Sequence, residues 1–307
     1  MDPVIRTENL TRHFGPLKAV DSINLEVNPG EIYGFLGLNG AGKTTMIRML
    51  LGMIRPTSGK AWLFGKKVDP GNGALWNKVG HLVEIPYAYP SLTVRENLEI
   101  FRRLRFLKDP GVIDQIADQL ELGPYMHTKA RNLSLGNAQR LGLAKALIHH
   151  PGLLILDEPA NGLDPFGIVQ IRELLVDLAQ QNGVTIFISS HILGEISRFA
   201  TRIGIIHQGK MIRESETHQL KSQIISTLQV NTNDNERARA LLKAQQYHPK
   251  IQDNGTIVLK DESALSHPEL ISGLLAGKGL PPIRLAVEEE DLEHFFFRIV
   301  HQNNHSS

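Results

Sequence analysis

The chain is expected to fold as an α/β domain built on a parallel sheet, followed by a smaller α+β domain. Three observations predict this. Apolar runs near Leu153, Ile186 and Ile205 alternate with helical spans, the layout of a sheet with helices on both faces. A glycine-rich loop, Gly37-Leu38-Asn39-Gly40-Ala41-Gly42-Lys43-Thr44, joins the apolar run 32–36 to a helical run over 45–51. After about Leu220 the pattern becomes one of short strands and helices.

In chain order, Ile23, Leu25 and Val27 in period two, and Ala61-Trp62-Leu63-Phe64 ahead of Gly65, read as antiparallel strands beside the core. The loop at 37–44 fits G-x-x-x-x-G-K-[ST]. Its glycines let successive backbone N–H groups turn toward one anion, and the following helix N-terminus adds partial positive charge. This reads as a nucleoside triphosphate grip, a chance glycine turn ahead of a helix being the alternative, with Lys43 expected to bridge the outer phosphates and the Thr44 hydroxyl to sit on Mg²⁺.

Residues 91–150 turn helical. Leu98, Phe101, Arg102 and Arg105 share one face, and Leu141, Ala144, Lys145 and Ile148 share another. Leu133-Ser134-Leu135-Gly136-Asn137 opens the second of these helices, with Ser134 and Asn137 spaced as a capping box. His149-His150 before Pro151 reads as a helix end with cations near its negative pole; a metal site is the alternative.

Leu153-Leu154-Ile155-Leu156 suits a strand covered on both faces, and it ends in Asp157 and Glu158. The carboxyl end of such a strand is where these sheets place ligands. Asp157 is expected to hold Mg²⁺ and Glu158 to polarise the attacking water; a strand ending in a polar turn is the bland alternative. Thr185-Ile186-Phe187-Ile188-Ser189-Ser190-His191 repeats the pattern and is expected to deliver His191 toward the terminal phosphate; a solvated histidine at a strand end is the alternative. Residues 203–212 read as a hairpin turning at Gln208-Gly209.

Beyond 220, strands are expected at 227–230 and 283–287, helices at 236–246 and 268–275, and a hairpin across Asp253-Asn254-Gly255. The order βαββαβ suggests a ferredoxin-like unit. A last helix carries Leu292, Phe295, Phe296 and Ile299 at offsets 0, 3, 4 and 7. The run Glu288-Glu289-Glu290-Asp291 suits a helix start, with a metal or a basic partner as the alternative. The tail 303–307 is expected to be disordered.

Bulk properties narrow the function. The 33 Lys and Arg nearly balance the 32 Asp and Glu, so no global field favours nucleic acid or anionic lipid. No cysteine is present, which excludes disulfides and thiolate metal sites. No run reaches the roughly 18 to 20 apolar residues needed to cross a bilayer.

Together these motifs resemble the nucleotide-binding subunit of an ATP-binding cassette (ABC) transporter. The matching segments are GLNGAGKTT at the Walker A loop, LSLGN at the family signature, LLILDEP at Walker B, ANGLD at the D-loop, and His191 at the switch histidine. The resemblance runs from about Val4 to Glu216. It implies a P-loop ABC ATPase domain over 1–220, with a RecA-like core, an antiparallel β subdomain and a helical subdomain, and an accessory α+β domain over 221–302. Two copies would close head to tail around two ATP molecules. Each ATP would contact Gly37, Leu38, Asn39, Gly40, Ala41, Gly42, Lys43, Thr44 and Thr45 of one copy. On the other side it would meet Leu133, Ser134, Leu135, Gly136 and Asn137 of the facing copy. Phe14 would stack on adenine, ordinary core packing being its alternative, and Asp164 would connect the two sites.

Two positions depart from the family pattern. Leu135 stands at a usual glycine, and Glu84 replaces the Q-loop glutamine, where it would contact ATP and join Thr44 and Asp157 on the metal. Both features are similar to a branch of exporters that handles bacitracin, lantibiotics and other drugs. The implied protein is an ATPase on the inner face of the cell membrane, paired with a separate membrane-spanning permease and a second ABC subunit, without nucleic acid. Rivals from other classes are a nucleic-acid-acting cassette and a regulatory ATP-binding protein. Neither heptads nor a second Walker A loop supports the first.

Overall fold

The computed structural model describes residues 2–83, 88–221, 223, 225–290, 295 and 298. Glu84, Leu292, Phe296, Ile299 and the tail 303–307 lie outside the described residues. The chain divides into two compact units, Met1–His218 and Gln219–Ser307.

The first unit opens with β1 (Ile5–Phe14) and β2 (Leu17–Val27), and in β2 the alternating Ile23, Leu25 and Val27 are buried while Asn24 and Glu26 are exposed. β3 (Ile32–Leu36) follows, then helix α1 (Lys43–Leu50), β4 (Ser58–Leu63), β5 (Lys66–Lys67), α2 (Gly73–Trp76) and β6 (Val79–Leu82). The helical stretch comprises α3 (Val94–Leu104), α4 (Val112–Gln119) and α5 (Leu135–Leu147). The chain returns through β7 (Leu153–Asp157), α6 (Pro165–Asn182), β8 (Thr185–Ser190), α7 (Leu193–Ile196), β9 (Arg202–His207) and β10 (Lys210–Glu216).

Two sheets result. β2-β1-β4-β5 is antiparallel, and β10-β9-β3-β8-β7-β6 is parallel except for β10. Every residue of β3, β7 and β8 is buried, which explains the apolar runs Leu153–Leu156 and Ile186–Ile188. Tyr33 of β3 stacks on Phe187 of β8 with centroids 5.6 Å apart, and Phe35 tilts against the same ring. β8 lies between β3 and β7, pairing Leu36 with Ser190 and Asp157 with Ser189. The carboxyl ends of three neighbouring strands therefore converge, and the loops carrying the sequence motifs leave from that edge.

A full capping box starts α3: Thr93 accepts from the Glu96 N–H, and Glu96 accepts from the Thr93 N–H. The two helical faces read from sequence meet at Phe101 and Lys145, whose ammonium sits 5.0 Å from the ring centroid. One expectation needs correction. His149 adds no cation at the helix end: burial, then Arg105, pushes its imidazole down to about 4, and its Nε2 contacts the Val79 carbonyl at 3.1 Å.

A short helix, α8 (Thr217–Lys221), leads into the second unit. There β11 (Ser226–Asn231), α9 (Asn235–Ala244), β12 (Lys250–Ile251), β13 (Ile257–Leu259), α10 (Glu262–Ser266), α11 (Pro268–Gly277) and β14 (Arg284–Glu289) follow. The sheet runs β12-β13-β11-β14, antiparallel throughout, the strand order of a split βαβ unit. Leu228, Val230, Leu242, Ile257, Leu259 and Leu275 anchor a core of its own. The five-residue α10 was not legible in sequence, being too short to show a helical period. Glu288 and Glu289 belong to β14 rather than to a helix start, because β11 pairs along that stretch. Among the described residues no helix is long and apolar enough to cross a membrane.

Candidate active site

The loop between β3 and α1 works because two of its glycines adopt backbone that other residues avoid. Gly40 has φ +80° and Gly42 φ +111°. A Cβ on Gly42 would stand 2.2 Å from the Ala19 carbonyl oxygen. Gly42 caps α1, so Lys43 is the first helical residue and its side chain folds back over the loop. Lys43 is only 5% exposed; Nζ donates to the Gly37 carbonyl at 2.7 Å and pairs with Glu158 Oε1 at 3.0 Å.

Beside it, the Thr44 hydroxyl donates to Asp157 Oδ2 at 2.7 Å. Ser189, opposite Asp157 in the sheet register, donates to the other oxygen, Oδ1, at 2.5 Å and accepts from the Glu158 N–H at 3.0 Å. One hydroxyl thus fixes both acidic residues. Glu158 leaves the strand at φ +47°, a left-handed turn that aims its side chain back toward Lys43. Its Oε2 receives two further donors, His191 Nδ1 at 2.6 Å and Asn161 Nδ2 at 2.8 Å. Burial pushes the Glu158 carboxyl up, but the hydrogen bond and charge of Lys43, with Asn161 and His191, outweigh it and hold the group below its ordinary range.

An open cleft of about 620 Å³ lies over these residues, walled by Phe14, Ala19, Gly40, Lys43, Thr45 and Glu158 among others. Phe14 is 46% exposed rather than packed in the core, and the Arg12 guanidinium lies 4.6 Å from its ring centroid. An apolar ring beside a lysine, a threonine and turned glycines suits a molecule with a flat base at one end and phosphates at the other.

The signature residues form a separate surface, and none is among the described residues lining this cleft. Ser134 caps α5, accepting from the Asn137 N–H at 3.3 Å. Only that half of the expected capping box forms; the amide side chain of Asn137 makes no return bond to the cap. Leu135 is 58% exposed and leans onto the loop after β7: a Cβ on Gly162 would stand 2.1 Å from its Cδ2. Gln139 donates to the Pro159 carbonyl at 2.9 Å, so α5 and the 159–163 loop are joined at two points. Asp164 caps α6 by accepting from the Gly167 N–H at 2.7 Å.

Lys43, Thr44, Asp157, Glu158 and His191 are therefore brought together as the sequence predicts. Ser189, Asn161 and Gln139 were missed. Ser189 carried a signal, a hydroxyl interrupting the aliphatic run of β8, but only the register reveals its partners.

A loop of this form, at the carboxyl edge of a parallel sheet with a strand-end Asp-Glu pair, defines a P-loop nucleoside triphosphatase. Comparison with known proteins narrows the class. The ABC transporter family profile matches residues 20–161, and an AAA-domain profile matches 127–197. The bacitracin transport ATP-binding protein BcrA of Bacillus licheniformis is 39% identical over 302 residues, covering 98% of both chains. BcrA of Enterococcus faecalis is 41% identical over 303 residues, covering 98% of this chain and 97% of its own. The lantibiotic transport ATP-binding protein SrtF of Streptococcus pyogenes is 35% identical over 213 residues, 69% of this chain and 91% of its own. A solved dimer of the bacterial ABC transporter cassette MJ0796 superposes with TM-score 0.65 at 25% identity, over 69% of this chain and 98% of that one. The same cassette has been solved as a dimer in a post-hydrolysis state with ADP and phosphate, at TM-score 0.64. The chain belongs to the ATP-binding subunits of ABC transporters, and it is an ATPase of that family.

Proposed function

We propose that this chain is the ATP-driven engine of an exporter for peptide antibiotics or similar drugs, working on a separate membrane-spanning permease at the inner face of the cell membrane. The end-to-end likeness to two bacitracin transport ATP-binding proteins supports the substrate class. In this reading residues 1–220 form the motor and 221–302 an accessory domain.

The observation that carries the mechanism is the set of contacts joining Lys43, Glu158 and His191 beside the Thr44–Asp157 pair. ATP phosphates draw Lys43 away from Glu158, since the ammonium gains more from a polyanion than from one carboxylate. Glu158 then polarises the attacking water, and His191 uses its remaining ring nitrogen toward the terminal phosphate. Phe14 stacks on the base.

The Thr44 hydroxyl and the Asp157 carboxylate are hard oxygen donors 2.7 Å apart, a donor set that fits Mg²⁺. These two would hold the ion, with Glu84 as a further sequence-based ligand, and the ion would offset phosphate charge. Ser189 keeps Asp157 oriented through its second oxygen.

Ser134 and the N-terminal N–H groups of α5 face outward, so they are available to the ATP of a second copy of the chain. ATP then joins two copies because the γ-phosphate makes contacts to Ser134 and Gly136 only in the closed pair, and hydrolysis releases them. Asp164 lies between the two sites in this arrangement. Size-exclusion chromatography of Glu158→Gln with ATP and Mg²⁺, alone and with the permease, tests the scheme. A dimer that Ser134→Arg abolishes is the expected result; a monomer under all of these conditions overturns it.

A further inference from the structure

We propose that Asn161 is a positioning residue for Glu158: its side-chain amide fixes one carboxylate oxygen so that the other is presented to water. The inference rests on the reading of Glu158 as the residue that polarises the nucleophile.

The two oxygens of Glu158 have different surroundings. Oε1 meets Lys43 Nζ at 3.0 Å, whereas Oε2 receives Asn161 Nδ2 at 2.8 Å and His191 Nδ1 at 2.6 Å. A phosphate competes for Lys43, so Oε1 is the oxygen that loses its partner when nucleotide enters. Oε2 keeps its donors and serves as the pivot. His191 is a weaker pivot by itself, because its ring is also drawn toward phosphate. Asn161 carries no charge that a phosphate would attract. Its backbone N–H donates to the Glu158 carbonyl at 3.1 Å, a tight turn that holds the amide beside the carboxylate.

A glutamate side chain has three rotatable bonds, and left unheld it samples orientations that face no water. The left-handed backbone of Glu158 sets where the side chain starts, and the amide sets where it ends. A neutral donor also suits the position. A cation there would add to the charge of Lys43 and bind the carboxylate more tightly, whereas an amide orients it without changing the charge of the site.

The test compares Asn161→Ala and Asn161→Asp with the parent and Glu158→Gln, using the full chain. ATP affinity and KM are expected to stay within about twofold while kcat falls roughly tenfold, a loss confined to the transition state. The loss should be larger in Asn161→Asp, whose added carboxylate repels Glu158 instead of donating to it. At fixed pH the infrared carboxylate band of Glu158, assigned by its loss in Glu158→Gln, should shift in both Asn161 variants without relying on turnover. An unchanged kcat and band, or parallel losses of melting temperature, affinity and kcat, would overturn the proposal. Full hydrolysis by Glu158→Gln would refute the role of Glu158, whereas a dead Gln variant beside an Asn161→Ala of parental kcat would refute only that of Asn161.

Discussion

Lys43 and Glu158 form an ion pair at 3.0 Å, so the cation proposed to grip phosphate and the carboxylate proposed to face the reaction are each other's counter-charge. Removing either one leaves the other altered, and the two substitutions should not behave alike.

Glu158→Gln removes the negative partner and frees Lys43 for phosphate. ATP affinity should be unchanged or higher, while the hydrolysis rate falls by roughly 10²- to 10⁴-fold, the usual worth of a positioned general base. Calorimetry and single-turnover phosphate release measure the two effects separately. Weaker ATP binding in this variant would contradict the competition described for Lys43.

Lys43→Ala acts oppositely. It removes the proposed phosphate contact, so ATP affinity should drop by at least about tenfold, or ~1.4 kcal/mol. It also leaves Glu158 without its main charge partner, so the carboxyl pKa rises toward its ordinary value. A depressed carboxyl contributes stability above its unfolded pKa and loses it as pH falls through the folded one. The parent should therefore lose this contribution on acidification, and Lys43→Ala should show less of that loss in denaturant titrations from pH 6 down to pH 3.

Gly162→Ala meets two obstacles, a φ of +79° and Leu135 Cδ2 only 2.1 Å from the new Cβ. Loss of melting temperature and of ATPase activity is expected. Leu135→Ala should restore part of both in the double variant, leaving the backbone strain as the remainder. Strict additivity in the double-mutant cycle would mean that the leucine can move aside without cost.

Lys145 gives a pH signature in the opposite direction. Burial lowers its pKa to about 8, so protonation is disfavoured in the folded chain. Between that value and the ordinary one of 10.5 the unfolded chain binds more protons, and stability due to this group rises with pH. Lys145→Met removes the titrating group, so the stability of the parent relative to this variant should rise with pH between those two values in denaturant titrations. A difference between the two that does not change with pH would refute the desolvation account.

Where the sequence was most readable, its signals were local and physical. The run 32–36 followed by glycines read as a buried strand feeding a helix, and 153–157 read as a second buried strand of the same sheet. Even the hairpin around Gly255, at φ +83°, was marked by its residues. Long-range pairing was not readable in this way. That Ser189 stands opposite Asp157 depends on register, and that Leu135 covers Gly162 depends on how α5 meets a loop 27 positions away. The charge of His149 was misread because burial, absent from any sequence window, decides its protonation.

The seat of Leu135 on Gly162 also constrains the history of the chain. A descendant that gains bulk at 162 survives only by losing it at 135, so the two sites should drift as a couple. Where position 135 carries glycine instead, the loop that follows Glu158 would have play that this protein lacks.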